Sequence, residues 1–163
     1  MNLKHKEYTV YFVIMLSKKA KYALKALEYM AEQQSTGPLR ISEIADAQGF
    51  PHKFLEAILL ELRKDGILRS KLGKSGGYML NKDPKEIKLG HIIRLLDGPI
   101  ALVPCVSYKY YAPCEECADE ATCGLRQVCG EVREATNHIL DNVSLSDVLQ
   151  RKAMLIKKSR KRR

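Results

Sequence analysis

The chain has 163 residues, 45% of them hydrophobic and 29% charged, which is the ordinary composition of a globular protein. Its longest apolar run, residues 8–16, is about half of the roughly 20 residues that a membrane-spanning helix needs, and it lacks the small-residue cleavage site of a signal peptide. We therefore expect a cytoplasmic protein that does not interact with a membrane.

The formal net charge of +9 is unevenly distributed along the chain. Residues 1–104 carry +6, residues 105–147 carry −5, and residues 151–163 carry +8. The two basic segments suit binding to a polyanion. For the last segment the alternative is a disordered tail that only keeps the chain in solution.

The first predicted helix follows an N-terminal extension, residues 1–14. Ser17 can cap this helix, and the loop 34–38 (QSTGP) ends it. Its apolar residues recur at helical spacing and are Ala20, Ala23, Leu24, Leu27, Met30 and Ala31.

Residues 41–60 (ISEIADAQGFPHKFLEAILL) have the spacing of a helix-turn-helix. The small Ala45 allows two helices to cross closely, Gly49 can adopt the left-handed conformation that ends the first helix, and Pro51 suits the first turn of the second. A helix-turn-helix presents the start of its second helix to the major groove of DNA. The exposed residues there are His52, Lys53, Phe54 and Glu56. A plain helical hairpin is the alternative.

Residues 64–80 (KDGILRSKLGKSGGYML) predict a β-hairpin directly after that helix, which disfavours the plain helical hairpin. Lys71 and Lys74 make the hairpin basic and suit phosphate or minor-groove contact. The segment KSGG is not a phosphate-binding loop, because the required GxxxxGK[ST] between a strand and a helix is absent. The predicted fold class is mainly α with a small β-wing, a winged helix-turn-helix.

Two further helices are predicted at about residues 84–96 and 124–142. His91, on the first of them, is expected to be structural. The second has apolar residues 3, 4, 3, 4 and 4 positions apart, a near-heptad stripe that favours a dimer seam over packing on its own domain. A last short helix, SLSDVLQRK, is expected to end in a frayed basic tail.

These predictions divide the chain into five segments. They are an extension (1–14), a winged helix-turn-helix DNA-binding domain (15–98), a cysteine loop (99–123), a dimerisation helix region (124–150) and a basic tail (151–163).

All five cysteines lie within residues 105–129, which without a secretory context indicates a metal or redox site rather than disulfides. Thiolates favour zinc, iron–sulfur clusters or copper(I). The irregular gaps fit a zinc ribbon poorly and are more typical of a cluster wrapped by a flexible segment. Zinc remains the alternative. The candidate ligands are Cys105, Cys114, Cys117 and Cys123.

Other residues of the cysteine segment are assigned no ligand role. Cys129 lies on the long helix beside its apolar stripe and is expected in a core or interface. The acidic residues between the cysteines would not help an anionic cluster, so the loop is expected to face water; they are Glu115, Glu116, Asp119 and Glu120. The motif CEEC could be a thiol-exchange site only at the start of a helix beside a strand, and its flanks predict neither. We therefore expect no enzyme.

Several segments, in order along the chain, resemble the Rrf2 family of bacterial regulators (IscR/NsrR type). They are MLSKKAKYALKAL, the helix-turn-helix, SKLGKSGGYML, GHIIRLLDGPIALVPC and CGLRQV. The resemblance covers about residues 15–145. It implies a homodimer of winged helix-turn-helix heads with a crossing long helix, binding double-stranded DNA at a palindromic operator.

Sensor members of this family hold a 2Fe-2S or 4Fe-4S cluster through three cysteines in the loop before the long helix. Cys105 and Cys123 match the first and third of these, and Cys117 or Cys114 must serve as the second. The resemblance thus implies a repressor-type regulator that senses redox state, nitric oxide or iron–sulfur status. Its DNA-reading residues carry over to Lys53, Phe54 and Glu56.

Two positions of the cysteine site differ from the family's pattern. Arg126 stands three residues after Cys123, where one branch has a histidine ligand. Lys21 stands where another branch takes a carboxylate from the partner's first helix. An all-cysteine site with Cys114 as the fourth ligand is the resulting proposal.

The wing differs at one position. Leu72 stands where the best-known member inserts an arginine into DNA, so the flanking Lys71 and Lys74 are expected to make the wing's contacts.

Overall fold

A computed structural model describes residues 16–34, 37–73 and 75–161. The predicted extension 1–14, Lys74 and the last two residues of the basic tail lie outside the described residues. Within the described part, six α-helices and one two-stranded sheet form the fold. The predicted fold class is therefore confirmed.

Three helices form the first half of the core: α1 (Lys18–Glu32), α2 (Ile41–Gln48) and α3 (His52–Lys64). The hydroxyl of Ser17 accepts the Ala20 amide and caps α1. Gly49 ends α2 at φ +66°, the left-handed conformation that its sequence predicts. Most of the predicted apolar positions are fully buried between the helices, whereas Leu24 and Ala31 are half-buried. The fully buried ones include Leu27, Ile44, Leu55, Ile58, Leu59 and Leu62.

The wing consists of β1 (Leu68–Lys71) and β2 (Gly77–Leu80), paired antiparallel from Leu68 opposite Leu80 to Lys71 opposite Gly77. Leu39, before α2, forms a bridge to Tyr78. A Cβ at Gly77 would lie 2.4 Å from the carbonyl oxygen of Leu39, so only glycine lets that backbone approach the wing.

Helix α4 (Leu89–Asp97) begins later than the predicted residue 84. Residues 84–86 form a turn instead, because the Asp83 carboxylate accepts the Lys85 amide. The Ile87 carbonyl is used by the Leu145 amide, from far along the chain. At the other end of α4, Asp97 accepts both the amide and the hydroxyl of Ser17.

The cysteine loop follows α4 and contains two 3-10 turns, Pro104–Val106 and Glu120–Thr122. It leads into the long helix α5 (Gly124–Asn142), which matches its prediction.

The last helix, α6 (Leu145–Arg160), is longer than predicted. The expected frayed tail is wrong for the described residues, since the helix continues through them to Arg160. A capping box of Ser144 and Asp147 starts it, and basic residues in its last turn suit the negative end of the helix dipole. No helix in the described ranges is long and apolar enough to cross a membrane.

Candidate nucleic-acid interface and cysteine site

The predicted DNA-reading residues lie on the surface at the start of α3. His52, Lys53 and Glu56 are exposed, and Phe54 is 39% exposed. The Nε2 atom of His52 lies 3.2 Å from Oδ1 of Asp46, which ties the start of α3 to α2. A cation, an apolar ring and a carboxylate are groups of the kinds that contact phosphates, thymine methyl groups and base edges in DNA complexes.

Phe54 packs against one aromatic ring, which is itself stacked on another. Its ring packs edge-on against Tyr22 of α1, with centroids 5.6 Å apart, and Tyr22 stacks on Phe50 at 4.1 Å. Sequence reasoning missed Tyr22, because it lies on a different helix and its spacing there is that of an ordinary core residue.

The wing presents Lys71, Arg69 and Leu72 to solvent, and Leu72 is 90% exposed. Strand β1 packs against α3, and Arg63 of α3 donates a hydrogen bond to the Ser70 hydroxyl at 3.3 Å. The wing is therefore fixed to the helix that precedes it.

The structure brings the four candidate cysteine ligands to one region at the start of α5. The Cys117 thiol donates to Cys123 Sγ at 3.6 Å and also interacts with Cys114. Cys114 in turn packs against a small cluster formed by Cys105, Val106 and Cys129.

The four thiols do not converge on one point. Among the described residues, no group of three or more His, Cys, Asp or Glu side chains is arranged around a common metal position.

The thiols differ in how readily they ionise. Hydrogen bonding to Cys114 and then to Cys123 raises the pKa of Cys117 to about 12. The Arg126 backbone amide, followed by the Cys117 thiol, lowers the pKa of Cys123, which caps α5. Burial raises the pKa of Cys105. The thiol at the helix N-terminus therefore ionises more readily than the thiols of Cys105 and Cys117.

Glu120 corrects the expectation that the acidic residues of this loop all face water. Its carboxylate accepts the Cys114 amide at 3.2 Å and the Tyr111 hydroxyl at 2.9 Å. It also lies 3.5 Å from Nε of Arg126. Glu120 therefore joins the cysteine loop to the first turn of α5.

A second set of contacts fixes the loop further along α5. Arg133 donates to the carbonyl oxygen of Val106, next to Cys105, and its guanidinium lies 4.0 Å above the Tyr108 ring. The Tyr108 hydroxyl donates to Glu134 at 2.5 Å. Cys129, one turn before Arg133, is 6% exposed, in the core environment expected for it.

The chemistry of the donor set suits a thiolate-bound, anionic group, although the arrangement of the described thiols does not form such a site. Four sulfur donors lie in one region, and a cation, Arg126, lies beside them. The Nε atom of Arg126 is buried and has no hydrogen-bond partner within the described residues. A buried donor without a partner costs free energy, and Nε of Arg133, further along α5, is in the same state.

The predicted apolar stripe of α5 faces solvent. Leu125 is 69% exposed, Val128 56%, Val132 41% and Ile139 60%. This stripe, defined by these four residues, does not pack on its own domain. A contiguous exposed apolar face of this kind marks an interaction surface.

Known proteins match most of the chain. A family model described as Rrf2, iron-dependent transcriptional regulator, matches residues 16–151. An HTH-type transcriptional regulator of Rhodobacter capsulatus, described as rrf2-like, is 45% identical over 138 residues, which are 83% of this chain and 92% of that protein.

Two solved structures are similar in fold as well. CymR, described as the global cysteine regulator of Bacillus subtilis, matches with a TM-score of 0.70 and 30% identity over 84% of this chain and 97% of CymR. IscR of T. potens matches with a TM-score of 0.67 and 28% identity over 86% of this chain and 89% of IscR.

Proposed function

The chain belongs to the Rrf2 family of transcriptional regulators. We propose that it is a homodimeric repressor whose affinity for DNA is controlled by its cysteine site. The signal is redox state, nitric oxide or iron–sulfur status. The observation that carries the proposal is the position of the four cysteines at the start of α5, the helix whose exposed stripe can pair two chains. Relatives in this family are named as regulators of transcription, not as enzymes.

The control follows from how the cysteine loop is attached. Glu120 and Arg133 join the loop to α5, and Arg94 of α4 binds Asp141 of α5 at 2.5 Å. A change at the cysteines therefore acts on the helix that separates the two DNA-binding heads. Both heads can dock only when half-sites of a palindromic operator lie about one helical turn, ~34 Å, apart or a multiple of it.

The segments keep their predicted roles in this proposal. Residues 15–98 bind DNA, 99–123 hold the sensing group and 124–150 pair the chains, in the cytoplasm. The extension 1–14 and the basic tail 151–163 are accessory segments.

The DNA contacts are assigned to His52, Lys53, Phe54 and Glu56 of α3 and to Lys71 and Lys74 of the wing. Lys53→Glu places a negative charge where phosphates approach, so we expect at least tenfold weaker binding to the operator. The probe is a fluorescent duplex selected by the chain itself from a random library, and the readout is fluorescence anisotropy across salt concentrations.

Lys109→Glu, an exposed charge reversal in the cysteine loop, is the matched control for Lys53→Glu and should bind as the wild type does. Equal binding by Lys53→Glu and wild type would refute the placement of the DNA-reading surface. Binding that hardly changes with salt would refute phosphate contact altogether.

The sensing group is proposed to be a 2Fe-2S or 4Fe-4S cluster held by Cys105, Cys114, Cys117 and Cys123. It would supply a redox- and nitric-oxide-sensitive centre whose change is passed to α5. Anaerobic purification should give a brown protein with visible charge-transfer absorption, and iron and sulfide analysis gives the cluster type.

A structural zinc site is the alternative, because a set of four thiols is also a complete tetrahedral zinc site. A colourless protein with one zinc per chain would refute the cluster and leave DNA binding intact. DNA affinity that is insensitive to oxidant, nitric oxide and chelator would also favour zinc, with a different signal or a protein partner.

A further inference from the structure

We infer that the cavity between α4 and α5 is an effector site for a small organic monocarboxylate with an apolar body, and that a carboxylate bound there changes the affinity for DNA. The cavity has a volume of about 350 Å³ and is lined by α4, by residues 99–101 and 107–109 of the loop and by α5. None of the candidate cysteine ligands belongs to this lining. The inference rests on the proposed DNA-binding function and is independent of the cysteine site.

Part of the lining is apolar. Leu95 of α4 lies on one side, and the chain after α4 contributes Pro99, Ile100 and Ala101, with the Tyr108 ring beside them. Sites for small molecules are concave, mostly apolar and roughly 300–1,000 Å³ in volume. This cavity lies at the lower end of that range, so it suits a ring or a short branched chain rather than a nucleotide.

The ionisable side chains of the lining are all basic, apart from the Tyr108 hydroxyl. They are His91, Arg94, Lys109 and Arg133. Three of the four already have an acidic partner outside the lining. The pairs are His91 with Asp65 at 2.6 Å, Arg94 with Asp141 at 2.5 Å and Arg133 with Glu134 at 2.5 Å.

Lys109 is the cation that remains. Its Nζ atom lies 5.5 Å from the centroid of the Tyr110 ring, and it forms no ion pair with any of the described residues. One uncompensated positive charge beside an apolar wall matches a ligand with one negative charge and an apolar body. A dianion such as a phosphate ester would keep one charge without a partner, at a cost in desolvation.

Ser107 offers a hydrogen bond at the same place. Its side chain lies in the lining, the residue is only 7% exposed, and its hydroxyl accepts the Tyr110 amide at 3.1 Å. A hydroxyl that accepts one bond still has its own proton to donate, and no described residue takes that proton. A carboxylate oxygen in the cavity would be a suitable acceptor.

The walls of the cavity connect to both parts of the DNA-binding machinery. On one side, His91 lies 2.6 Å from Asp65, the residue that ends α3. On the other side, Arg94 binds Asp141 and donates to Asn137 of α5 at 3.4 Å. A molecule that contacts both walls favours one position of α5 relative to α3 and α4, and thereby biases DNA binding.

The cavity also lies on the face of α5 that the proposed dimer does not use. At 3.6 residues per turn, Arg133 and Asn137 are more than roughly 100° around the helix from the mean direction of the exposed stripe. Pairing of two stripes therefore leaves this face to its contacts with α4 and the loop.

The test of the ligand class uses 3-phenylpropionate, which combines one carboxylate with an apolar ring. Three other compounds each lack one property: 3-phenylpropanamide lacks the charge, acetate lacks the ring, and inorganic phosphate has a higher charge and no apolar body. Binding to the full-length wild-type chain is measured by ligand-observed NMR. We expect saturable binding of 3-phenylpropionate at about 1 mM or tighter and at least tenfold weaker binding of the others. Equal binding of acid and amide, or tighter binding of phosphate, overturns the inference.

Variants locate the bound acid. Lys109→Gln should weaken binding of 3-phenylpropionate about tenfold and leave the amide unaffected, because only the charge interaction is lost. Ile100→Trp adds bulk to the apolar wall and should weaken both compounds. Lys157→Gln, an exposed lysine of α6 outside the lining, is the matched control and should bind as the wild type does.

Two results would place the acid elsewhere and overturn the inference. One is binding that neither Lys109→Gln nor Ile100→Trp changes, and the other is equal weakening of acid and amide by Lys109→Gln. Circular dichroism spectra confirm that each variant is folded. If Ile100→Trp fails to fold, the acid-to-amide ratio of Lys109→Gln decides, because that substitution is on an exposed side chain.

The effector role is tested with the duplex selected by the chain itself. Fluorescence anisotropy is recorded with saturating 3-phenylpropionate and with sodium chloride at the same ionic strength. We expect the acid to change the wild-type affinity for DNA at least threefold, a ratio fixed by how much better it binds one state of the chain. Lys109→Gln should show the same change only at about tenfold higher concentration of the acid.

Failure of the two proposals can be told apart. A wild-type chain that binds no DNA refutes the proposed function, and the effector role with it. A wild-type chain that binds DNA and the acid, with an affinity for DNA that the acid does not change, refutes the effector role alone.

Discussion

At the scale of single residues, backbone geometry and local charge explain why particular side chains stand where they do. Gly49 has φ +66°, and no atom within 4 Å would meet an added Cβ. Glycine is thus required at this position by the left-handed backbone conformation alone, and not by a lack of space. Leu72, an apolar residue of the wing, is 90% exposed to solvent.

Gly49→Ala should lower the free energy of unfolding by about 1 kcal/mol, because alanine is strained in the left-handed region even with space around it. Urea unfolding followed by circular dichroism measures this. Gly130→Ala is the matched control. Gly130 lies inside α5 with open space around its Cα, so alanine there should raise stability by about 0.5 to 1 kcal/mol. If Gly49→Ala left the free energy of unfolding unchanged, the assigned cap geometry would be contradicted.

At the scale of elements, an ion-pair cluster joins the first and last helices. Lys152 of α6 lies 3.1 Å from Glu28 and 2.6 Å from Glu32 of α1, and Lys25 lies 3.0 Å from Glu28. Glu28 is only 7% exposed. Burial alone would raise its pKa, but the hydrogen bonds from Lys25 and Lys152 outweigh burial and lower it below the ordinary 4.5. Glu28 therefore contributes to stability as a carboxylate.

Glu28→Gln should destabilise the fold at pH 7 by roughly 1.5 kcal/mol, since hydrogen bonds to a charged group are lost. Because the folded pKa of Glu28 is depressed, its contribution is complete above pH 4.5 and is lost as pH falls through the folded value. The difference in free energy of unfolding between wild type and Glu28→Gln should thus be constant from pH 7 to about 5 and shrink below that. Thermal unfolding at several pH values measures this difference. A difference that increased below pH 5 would contradict the assigned ion pairs of Glu28.

At the scale of the whole molecule, the exposed stripe of α5 determines what assembly is possible. A single chain leaves Leu125, Val128, Val132 and Ile139 in solvent on the helix that carries the cysteine site at its start. Pairing two such helices would bury the stripe and fix the distance between two DNA-binding heads.

Ile139→Glu should convert the proposed dimer to a monomer at micromolar concentration, because a charge buried in an apolar seam loses its hydration without gaining a partner. His138→Glu, on the adjacent exposed position off the stripe, introduces the same residue and should leave the dimer intact. Sedimentation velocity gives the masses, and the helical circular dichroism spectrum should be the same for both. If the Ile139→Glu variant remained a dimer, the dimer interface would lie elsewhere on the molecule.

The sequence alone determined the features that depend on near neighbours. Ser17 caps α1, Gly49 ends α2, α5 begins at the predicted residue, and the glycine-rich segment forms a wing. Each follows from propensity, helical period or turn chemistry within a few residues. The clustering of all five cysteines within residues 105–129 is also a property of the sequence, but in the described structure the four candidate thiols do not converge on one point.

Only the tertiary structure decided the contacts between distant segments. It placed Tyr22 against Phe54, and it gave the Ile87 carbonyl, just after the turn 84–86, to the Leu145 amide. It also brought Glu120 into the cysteine site opposite Arg126. Such contacts depend on how whole elements pack, which no local period encodes. The helices and wing of the DNA-binding head could therefore be predicted from the sequence. The charged residues near the cysteines could be identified only from the tertiary structure.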